Sequence, residues 1–227
     1  MNKYKYTAII IEPRSHRALQ FVLNNFLTNL SDEWNIIIFH GTDNELFVND
    51  IITKLEKYKQ QIKMVNIGVK NLSIRDYNNL LINKKIYDYI NTDTFLIFQT
   101  DTLILNKEKL SKFLEYDYVG APWNHFPIAN TNERVGNGGL SLRKKSKMLE
   151  ILNNIPYKGQ NEDVYFCYNP DNKLHKPSFE EAKHFAVEEV FFNEPFGCHK
   201  PWNWVLSFKK EFFDLYPQAK ELYLLNM

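Results

Sequence analysis

The chain has 227 residues, and its 28 basic and 27 acidic side chains give a formal net charge of +1. Hydrophobic residues make up 44% and charged residues 24%, which is close to the globular average and excludes wholesale disorder. The balanced charge argues against a dedicated nucleic-acid binder, which normally carries a basic excess.

Two cysteines, Cys167 and Cys198, occur without a CxxC pair or a Cys/His cluster, so no structural zinc site is expected. They could form one disulfide or remain as free thiols, and free thiols are the simpler expectation. The apolar run at 7–11 is too short for a secretory signal, and no stretch approaches the roughly 18 apolar residues of a membrane span. We therefore expect a soluble, cytoplasmic protein.

The first half of the chain alternates between two apolar patterns. Short β-branched runs, each of the length of a buried parallel strand, lie at 6–11, 34–39, 62–67 and 94–98. Apolar residues at helical spacing separate them, at 19–27, 46–58 and 77–90. The strand starts recur about every thirty residues, which is the size of a βαβ unit. This alternation predicts a parallel, doubly wound sheet with helices on both faces.

The pattern changes after residue 98. A turn signal at 120–122 and a glycine-rich segment at 136–139 precede a short strand at 140–142, and helical patterns follow at 144–153 and 162–168. The aromatic, amphipathic tail from Pro201 is expected to pack back on the body. We predict a single domain over 1–227, with a nucleotide-binding half at 1–105 and an acceptor and catalytic half at 106–227.

Ligands of open parallel sheets bind at the carboxyl ends of the strands. The segments that follow the predicted strands are polar there, at 12–14, 40–44, from 68 onward and at 99–102. In the last of them, Asp101 follows a buried strand. A carboxylate at this place suits a divalent cation that also binds a diphosphate, and it equally suits an Asx-turn or a helix N-cap.

Three further segments combine residue types that carry chemistry. Adjacent glycines at Gly138 and Gly139 allow either close approach of a ligand to the backbone or a tight turn. The pair Glu162 and Asp163 begins a helical pattern, where acids favour the helix dipole or one of them serves as a general base. In the loop 195–202, His199 is either structural or a metal ligand, and Lys200 could neutralise a phosphate.

Taken in order, these segments resemble a glycosyltransferase with the GT-A fold, and most closely the family of small GT-A-like proteins called DUF5672. The glycine run reads Gly-Asn-Gly-Gly-Leu-Ser-Leu-Arg, and the set also includes Phe-Gly-Cys-His-Lys-Pro-Trp. The stretches that carry the resemblance are 10–14, 38–42, 72–81, 97–102, 116–123, 136–143, 161–164 and 196–202. The resemblance implies an α/β, Rossmann-like fold with a mostly parallel central sheet flanked by helices.

The resemblance also implies roles for individual residues. The metal-binding Asp-x-Asp motif of the fold matches Gln99-Thr100-Asp101, so Gln99 replaces the first acid and Asp101 is the remaining metal ligand, with His199 as the second. Asp163 is implied as the base, with Glu162 next to it. The residues implied to contact the substrates are Glu12, Arg14, Arg75, Asp76, Tyr77, Gly138, Gly139, Lys200 and Trp202.

The activity implied is transfer of a hexose from a nucleotide-diphospho-sugar, with a UDP-sugar favoured, to a hydroxyl of a glycan, protein or small molecule. Mn²⁺ or Mg²⁺ would assist, and inversion of configuration is favoured although retaining enzymes share the fold. Gln99 in place of an acid motivates an alternative, a nucleotide-sugar or carbohydrate-binding module without turnover. A nucleotidyltransferase is a third possibility, but it normally clusters more than one acid at its metal.

Aromatic residues are abundant, at 15% of the chain. Rings at helical or strand spacing are assigned to the core: Phe21, Phe26, Phe47 and Tyr87. Rings in the motif loops are predicted to flank the cleft, where they could stack on a base or a sugar: Tyr77, Trp123, Phe126, Tyr165, Phe196 and Trp202.

Overall fold

The structure, a computed structural model, describes residues 3–124, 134–168, 173–202 and 206–227. The described strands are β1 Tyr6–Glu12, β2 Trp34–His40, β3 Ile62–Asn66, β4 Thr94–Ile97, β5 Thr102–Ile104, β6 Tyr118–Gly120, β7 Ser141–Lys144, β8 Ala186–Val187 and β9 Gly197–His199. The described α-helices are α1 Leu19–Asn29, α2 Glu45–Lys54, α3 Ile74–Leu81, α4 Lys84–Tyr87, α5 Lys145–Asn154, α6 Glu162–Cys167, α7 Phe179–Ala182, α8 Leu206–Leu215 and α9 Pro217–Asn226. Two 3-10 helices lie at Glu56–Gln61 and Lys107–Phe113.

The central sheet has the strand order β3-β2-β1-β4-β7-β6. Strands β1 to β4 are mutually parallel, whereas β7 runs antiparallel to both β4 and β6. The predicted mostly parallel sheet is therefore confirmed, and each of its four parallel strands begins at the predicted residue and ends within one residue of it. Because β7 is antiparallel to its neighbours on both sides, this edge of the sheet is antiparallel.

Apolar side chains cover both faces of the sheet. Alternate residues of each strand point to opposite faces, so Ile10 joins one apolar cluster while its neighbours Ile9 and Ile11 join the other. Helices α1, α8 and α9 pack on the first cluster, and α4, α5 and α6 pack on the second. The amphipathic tail thus packs on the body as expected. No helix within the described ranges is long and apolar enough to cross a membrane.

Local signals shift some helix boundaries. The predicted helical segment 77–90 is divided because the side chain of Asn83 accepts a hydrogen bond from the Lys85 N–H and starts a new helix. The segment 46–58 ends as an α-helix at Lys54 and continues as a 3-10 helix, and Leu46 is exposed rather than buried. The turn expected at 120–122 is not found there, because Gly120 is the last residue of β6 and Pro122 forms an antiparallel β-bridge with Val135.

A second sheet of three short strands, in the order β5-β9-β8, was not predicted. Strand β9 pairs antiparallel with β5 and parallel with β8. These strands have only two or three residues each, which is too short for a periodic pattern. Both cysteines are buried and free, so the expectation of thiols is confirmed.

A buried ion pair joins β7 to α6. The guanidinium of Arg143 is fully buried and donates two hydrogen bonds to Glu162, Nη1 to Oε2 at 2.6 Å and Nη2 to Oε1 at 2.9 Å. Its Nε donates to Ser141 Oγ at 2.9 Å, and the rings of Tyr118 and Phe166 lie 4.6 and 5.7 Å from the cation. Bidentate bonding and aromatic contacts compensate for the cost of burying this charge.

Replacing Arg143 by methionine tests how much the structure depends on this pair. The Arg143→Met variant leaves the Glu162 carboxylate buried without its cation, so we expect the free energy of unfolding in urea to fall by about 3–5 kcal/mol. Lys54→Met, which removes the exposed pair with Asp50, is the control and should cost less than about 1 kcal/mol. Equal unfolding midpoints for the two variants would contradict this account.

Candidate functional site

A cavity of about 480 Å³ opens at the carboxyl ends of β1 and β4. The order of the strands in the sheet changes direction at this point, because β1 lies between β2 on one side and β4 on the other. Such topological switch points form ligand-binding crevices. The cavity is lined by Ile11, Glu12, Pro13, Arg14, Asn71, Leu72, Ser73, Ile74, Tyr77, Asn78, Gln99, Thr100, Asp101, Asn137, Gly138, Gly139, Asn161, Glu162, Asp163, His199 and Lys200.

At the end of β1, Glu12 orients Arg14. The buried Glu12 carboxylate accepts hydrogen bonds from Arg14 Nε and Nη2, both at 2.8 Å, and from the Arg14 backbone N–H at 3.0 Å. The hydrogen bond to Glu12 raises the pKa of Arg14 despite partial burial. Asn44 secures the loop by donating to the carbonyls of both residues. Arg14 therefore presents a fixed positive charge at the cavity.

Across the small sheet, Asp101, His199 and Glu188 form a row. His199 Nε2 lies 3.4 Å from Asp101 Oδ1, and His199 Nδ1 lies 3.1 Å from Glu188 Oε1. All three side chains are buried. The Nζ of Lys200 lies 3.5 Å from Asp101 Oδ2, and the Lys200 N–H donates to the Asp101 carbonyl at 2.9 Å. Asp101 thus lies between an imidazole and an ammonium group.

Electrostatic attraction outweighs desolvation in this row. Burial alone would raise the pKa of Asp101, but His199 and Lys200 lower it to about 2. Burial alone would lower the pKa of His199, but Glu188 and Asp101 raise it to about 10. The two carboxylates therefore favour a positive charge between them, whether it is carried by a proton or by a metal ion.

The residues present fit a divalent cation held by two side chains. Asp101 Oδ1 and His199 Nε2 are buried, face each other and make no hydrogen bond. One carboxylate oxygen and one imidazole nitrogen suit Mn²⁺, which accepts mixed ligands and takes further oxygens from phosphate and water. No cluster of three or more His, Cys, Asp or Glu side chains able to hold a metal occurs in the described ranges, so such a cation would depend on its substrate for the remaining ligands.

The adjacent glycines of the motif make room for side chains. A Cβ on Gly139 would overlap the ring of His199, and a Cβ on Gly138 would overlap the Glu162 carboxylate. Neither residue has a positive φ, so a left-handed backbone is not what requires glycine here. Asn137 Oδ1 accepts the Gly139 N–H at 3.0 Å and holds the segment in place. The two glycines thus allow the His199 ring and the Glu162 carboxylate to pack against the same stretch of backbone.

Asp163 lies on the cavity wall next to the buried pair. Its Oδ2 accepts the Gly138 N–H at 3.2 Å, and its Oδ1 accepts the Val164 N–H at 2.8 Å. Burial, followed by the neighbouring charge of Glu162, raises the pKa of Asp163 to about 6. Glu162 is paired with the positive charge of Arg143 at both oxygens, whereas among the described residues Asp163 accepts hydrogen bonds only from backbone N–H groups, which leaves Asp163 as the carboxylate without a paired cation.

The structure places three of the predicted substrate residues away from the cavity. Asp76 closes a capping box with Ser73 at the start of α3, and Arg75 is exposed beside it, outside the cavity lining. Trp202 packs against Tyr223, with ring centroids 5.5 Å apart, and does not line the cavity. The other predicted site residues all line it: Glu12, Arg14, Tyr77, Asp101, Gly138, Gly139, Glu162, Asp163, His199 and Lys200.

The prediction that motif-loop rings flank the cleft is largely wrong. Trp123, Tyr165 and Phe196 are buried as members of the two apolar clusters, and Tyr165 lies on the buried face of α6 rather than in a loop. Tyr77 does line the cavity, and its hydroxyl is buried without a hydrogen bond. Phe126 lies outside the described residues. The rings assigned to the core are correctly placed, with Phe26 and Tyr87 buried and Phe21 and Phe47 packed against it.

Two supporting residues were missed from the sequence. Asn78 Oδ1 accepts a hydrogen bond from the Glu162 N–H at 2.9 Å, although the two residues are 84 positions apart. It thereby supplies a hydrogen-bond partner for a backbone N–H group at the start of α6. Glu188 follows a strand of two residues, and no local pattern distinguishes it from its neighbour Glu189. The sequence signal for Asn78 was that it lies in the segment 72–81, which contributes to the family resemblance. Glu188 lies in no such segment.

Comparison with known proteins identifies the fold. Galactosyltransferase LgtC, in complex with donor and acceptor sugar analogues, matches with a TM-score of 0.56 and 13% identity over 96% of this chain and 94% of that one. The glycosyltransferase GlyE of Streptococcus pneumoniae TIGR4 matches with a TM-score of 0.53 and 14% identity over 99% and 63%. The bifunctional glycosyltransferase WbbM matches with a TM-score of 0.56 and 8% identity over 97% and 52%. At such identities the likeness concerns the fold.

Comparison by sequence identifies the family. No curated protein matches the chain. The profile of the family described as "Protein of unknown function (DUF5672)" matches residues 59–199, which is more than half of the chain and includes Asp101, Asp163 and His199. The protein therefore belongs to the DUF5672 family, and its fold is that of the GT-A glycosyltransferases.

Proposed function

We propose that the protein is a glycosyltransferase that moves a hexose from a nucleotide-diphospho-sugar to an acceptor hydroxyl. The observation that carries the proposal is the meeting of two kinds of group in one cavity. Asp101, His199 and Lys200 suit a metal-bound diphosphate, and Asp163 suits a base. The two sets lie on either side of Gly138-Gly139, since Asp163 accepts the Gly138 N–H and the His199 ring packs on Gly139.

The donor would lie across the carboxyl ends of β1 and β4. Its diphosphate would be within reach of the positive charges of Arg14 and Lys200, which would stabilise the negative charge that develops on the leaving group. Tyr77 offers an aromatic ring on the same cavity for the base or ribose. A UDP-sugar is the donor that we propose to test first.

A bound Mn²⁺ or Mg²⁺ would neutralise charge on the diphosphate and so favour its departure. Asp101 and His199 are the side chains that would hold the ion. The chain's own contribution is to keep these two ligands buried, facing each other and free of competing hydrogen bonds. Gln99 lines the same cavity but carries no charge, so the ligand set has one carboxylate fewer than an Asp-x-Asp motif.

Asp163 would act as the general base. Its carboxylate takes the proton of the acceptor hydroxyl, the hydroxyl oxygen bonds to the anomeric carbon, and the bond to the diphosphate breaks. Attack on the face opposite the leaving group inverts the configuration, and we propose an inverting reaction on this ground. Glu162 is neutralised at both oxygens by Arg143 and instead positions Asp163 through this buried pair.

Gln99 supports a second candidate, a nucleotide-sugar or carbohydrate-binding module that does not turn over. Donor hydrolysis separates the two candidates. We expect the protein to bind a UDP-sugar in calorimetry, more tightly with Mn²⁺ than without, and to release UDP slowly in the absence of acceptor. A panel of UDP-, GDP- and CMP-sugars identifies the nucleotide. Tight binding with neither hydrolysis nor transfer would favour the module and overturn the enzymatic proposal.

Asp163→Asn tests the base. Because the amide cannot accept the proton, we expect kcat to fall by at least about 100-fold while the donor Kd changes little. Asp214→Asn, which removes an exposed carboxylate paired with Lys210, is the control and should retain full activity. In the wild type, kcat/KM should rise with pH as Asp163 loses its proton near pH 6 and level off above it. Retention of configuration in the product would refute the base.

Asp101→Asn tests the metal ligand. The amide has nearly the same shape but loses the charge, so we expect the Kd for Mn²⁺ to rise by at least about 100-fold and the Mn²⁺-dependent part of donor binding to disappear. Calorimetry of the variant with and without Mn²⁺ measures both effects. An unchanged Kd for Mn²⁺ would exclude Asp101 as a ligand.

A further inference from the structure

Glu188 lies behind the candidate metal site and does not line the cavity. It is 5% exposed, and its Oε1 approaches His199 Nδ1 to 3.1 Å. Its other oxygen, Oε2, is buried and makes no hydrogen bond. Among the described residues, the ionisable group in contact with this carboxylate is the imidazole of His199. A buried carboxylate is costly unless it is paired, so the contact requires an explanation.

The register of the small sheet places Glu188 beside His199. Strand β8 pairs in parallel with β9, so that Ala186 lies opposite Gly197 and Val187 opposite Cys198. The next pair in this register is Glu188 with His199. On the other side of β9, the antiparallel pairing of His199 with Thr102 brings Asp101 to the same end. The sheet therefore holds the row through backbone pairing.

The remaining face of the imidazole is also fixed. The backbone of Gly139 packs against ring atoms Cε1, Nε2 and Cδ2, where a side chain would overlap them. The ring is thus confined between Gly139 on one side and Glu188 at Nδ1. A histidine that binds a metal through Nε2 carries its proton on Nδ1, and that proton needs an acceptor. Nδ1 makes no hydrogen bond to the described residues, and Glu188 Oε1, 3.1 Å away, is the carboxylate oxygen within reach of it.

We propose that Glu188 is a positioning residue that holds the Nδ1 proton of His199 and directs Nε2 toward a divalent cation shared with Asp101. This inference rests on the metal assignment within the proposed function. Metal-ligating histidines commonly donate their second ring N–H to a carboxylate, and loss of that carboxylate weakens metal binding by about 10–100-fold. Glu188 acts through His199 and touches neither the sugar nor the diphosphate.

The test is a titration of the full chain with MnCl₂, followed by electron paramagnetic resonance of the free ion. We expect Glu188→Gln to raise the Kd for Mn²⁺ by about 10–100-fold. Glu188→Asp, which keeps the charge on a shorter side chain, should restore part of the affinity. Glu189→Gln is the matched control, because it removes the adjacent carboxylate, which accepts a hydrogen bond from the Asn124 N–H rather than contacting His199. We expect this variant to keep a Kd for Mn²⁺ within about twofold of wild type.

Thermal unfolding of each variant separates positioning from a merely structural role. A structural role would lower the midpoint of Glu188→Gln without changing the Kd for Mn²⁺ of the folded protein, and that result would overturn the proposal. Wild-type affinity in Glu188→Gln, when wild type itself binds Mn²⁺, overturns the role of Glu188 and leaves the proposed function intact. If wild type does not bind Mn²⁺, the metal assignment fails together with this inference.

Discussion

The buried pair of Arg143 and Glu162 is the constraint around which the Asp163 side of the cavity is arranged. It connects β7, the antiparallel strand between β4 and β6, to a six-residue helix that could not be stable in isolation. The same pair requires Gly138 to lack a side chain, and Asn78 completes the hydrogen bonding at the helix start. Asp163 is therefore held at the cavity wall by interactions that its neighbours make.

The opposite side of the cavity depends on backbone pairing in a sheet of very short strands. Pairing of β9 with β5, almost 100 residues earlier in the chain, and with β8 brings Asp101, His199 and Glu188 into one row. The two carboxylates stabilise positive charge between them strongly enough to reverse the effect of burial on the pKa of His199. An isolated acid at this sheet edge would not suffice for cation binding, whereas an acid and an oriented imidazole supply two ligands.

Burial raises the pKa of both carboxylates of the cavity, but the charges beside them differ. At Asp101 the effect of burial is outweighed by the positive charges of His199 and Lys200, and the pKa falls to about 2. At the half-buried Asp163 burial is reinforced by the negative charge of Glu162, and the pKa rises to about 6, in the range of a group that can exchange a proton near neutral pH. The same residue type can thus serve two roles, because the charges next to it differ.

The sequence by itself determined the parallel strands and the segments that reach the cavity, because strand and helix periodicity are local and strand ends converge in an open sheet. It also indicated Asp101, Asp163 and His199 as candidate site residues, and all three line the cavity. Only the tertiary structure decided that Glu162 is neutralised by Arg143 and that Glu188 faces His199. Those outcomes depend on how different strands and helices pack against one another, and no local pattern encodes such contacts.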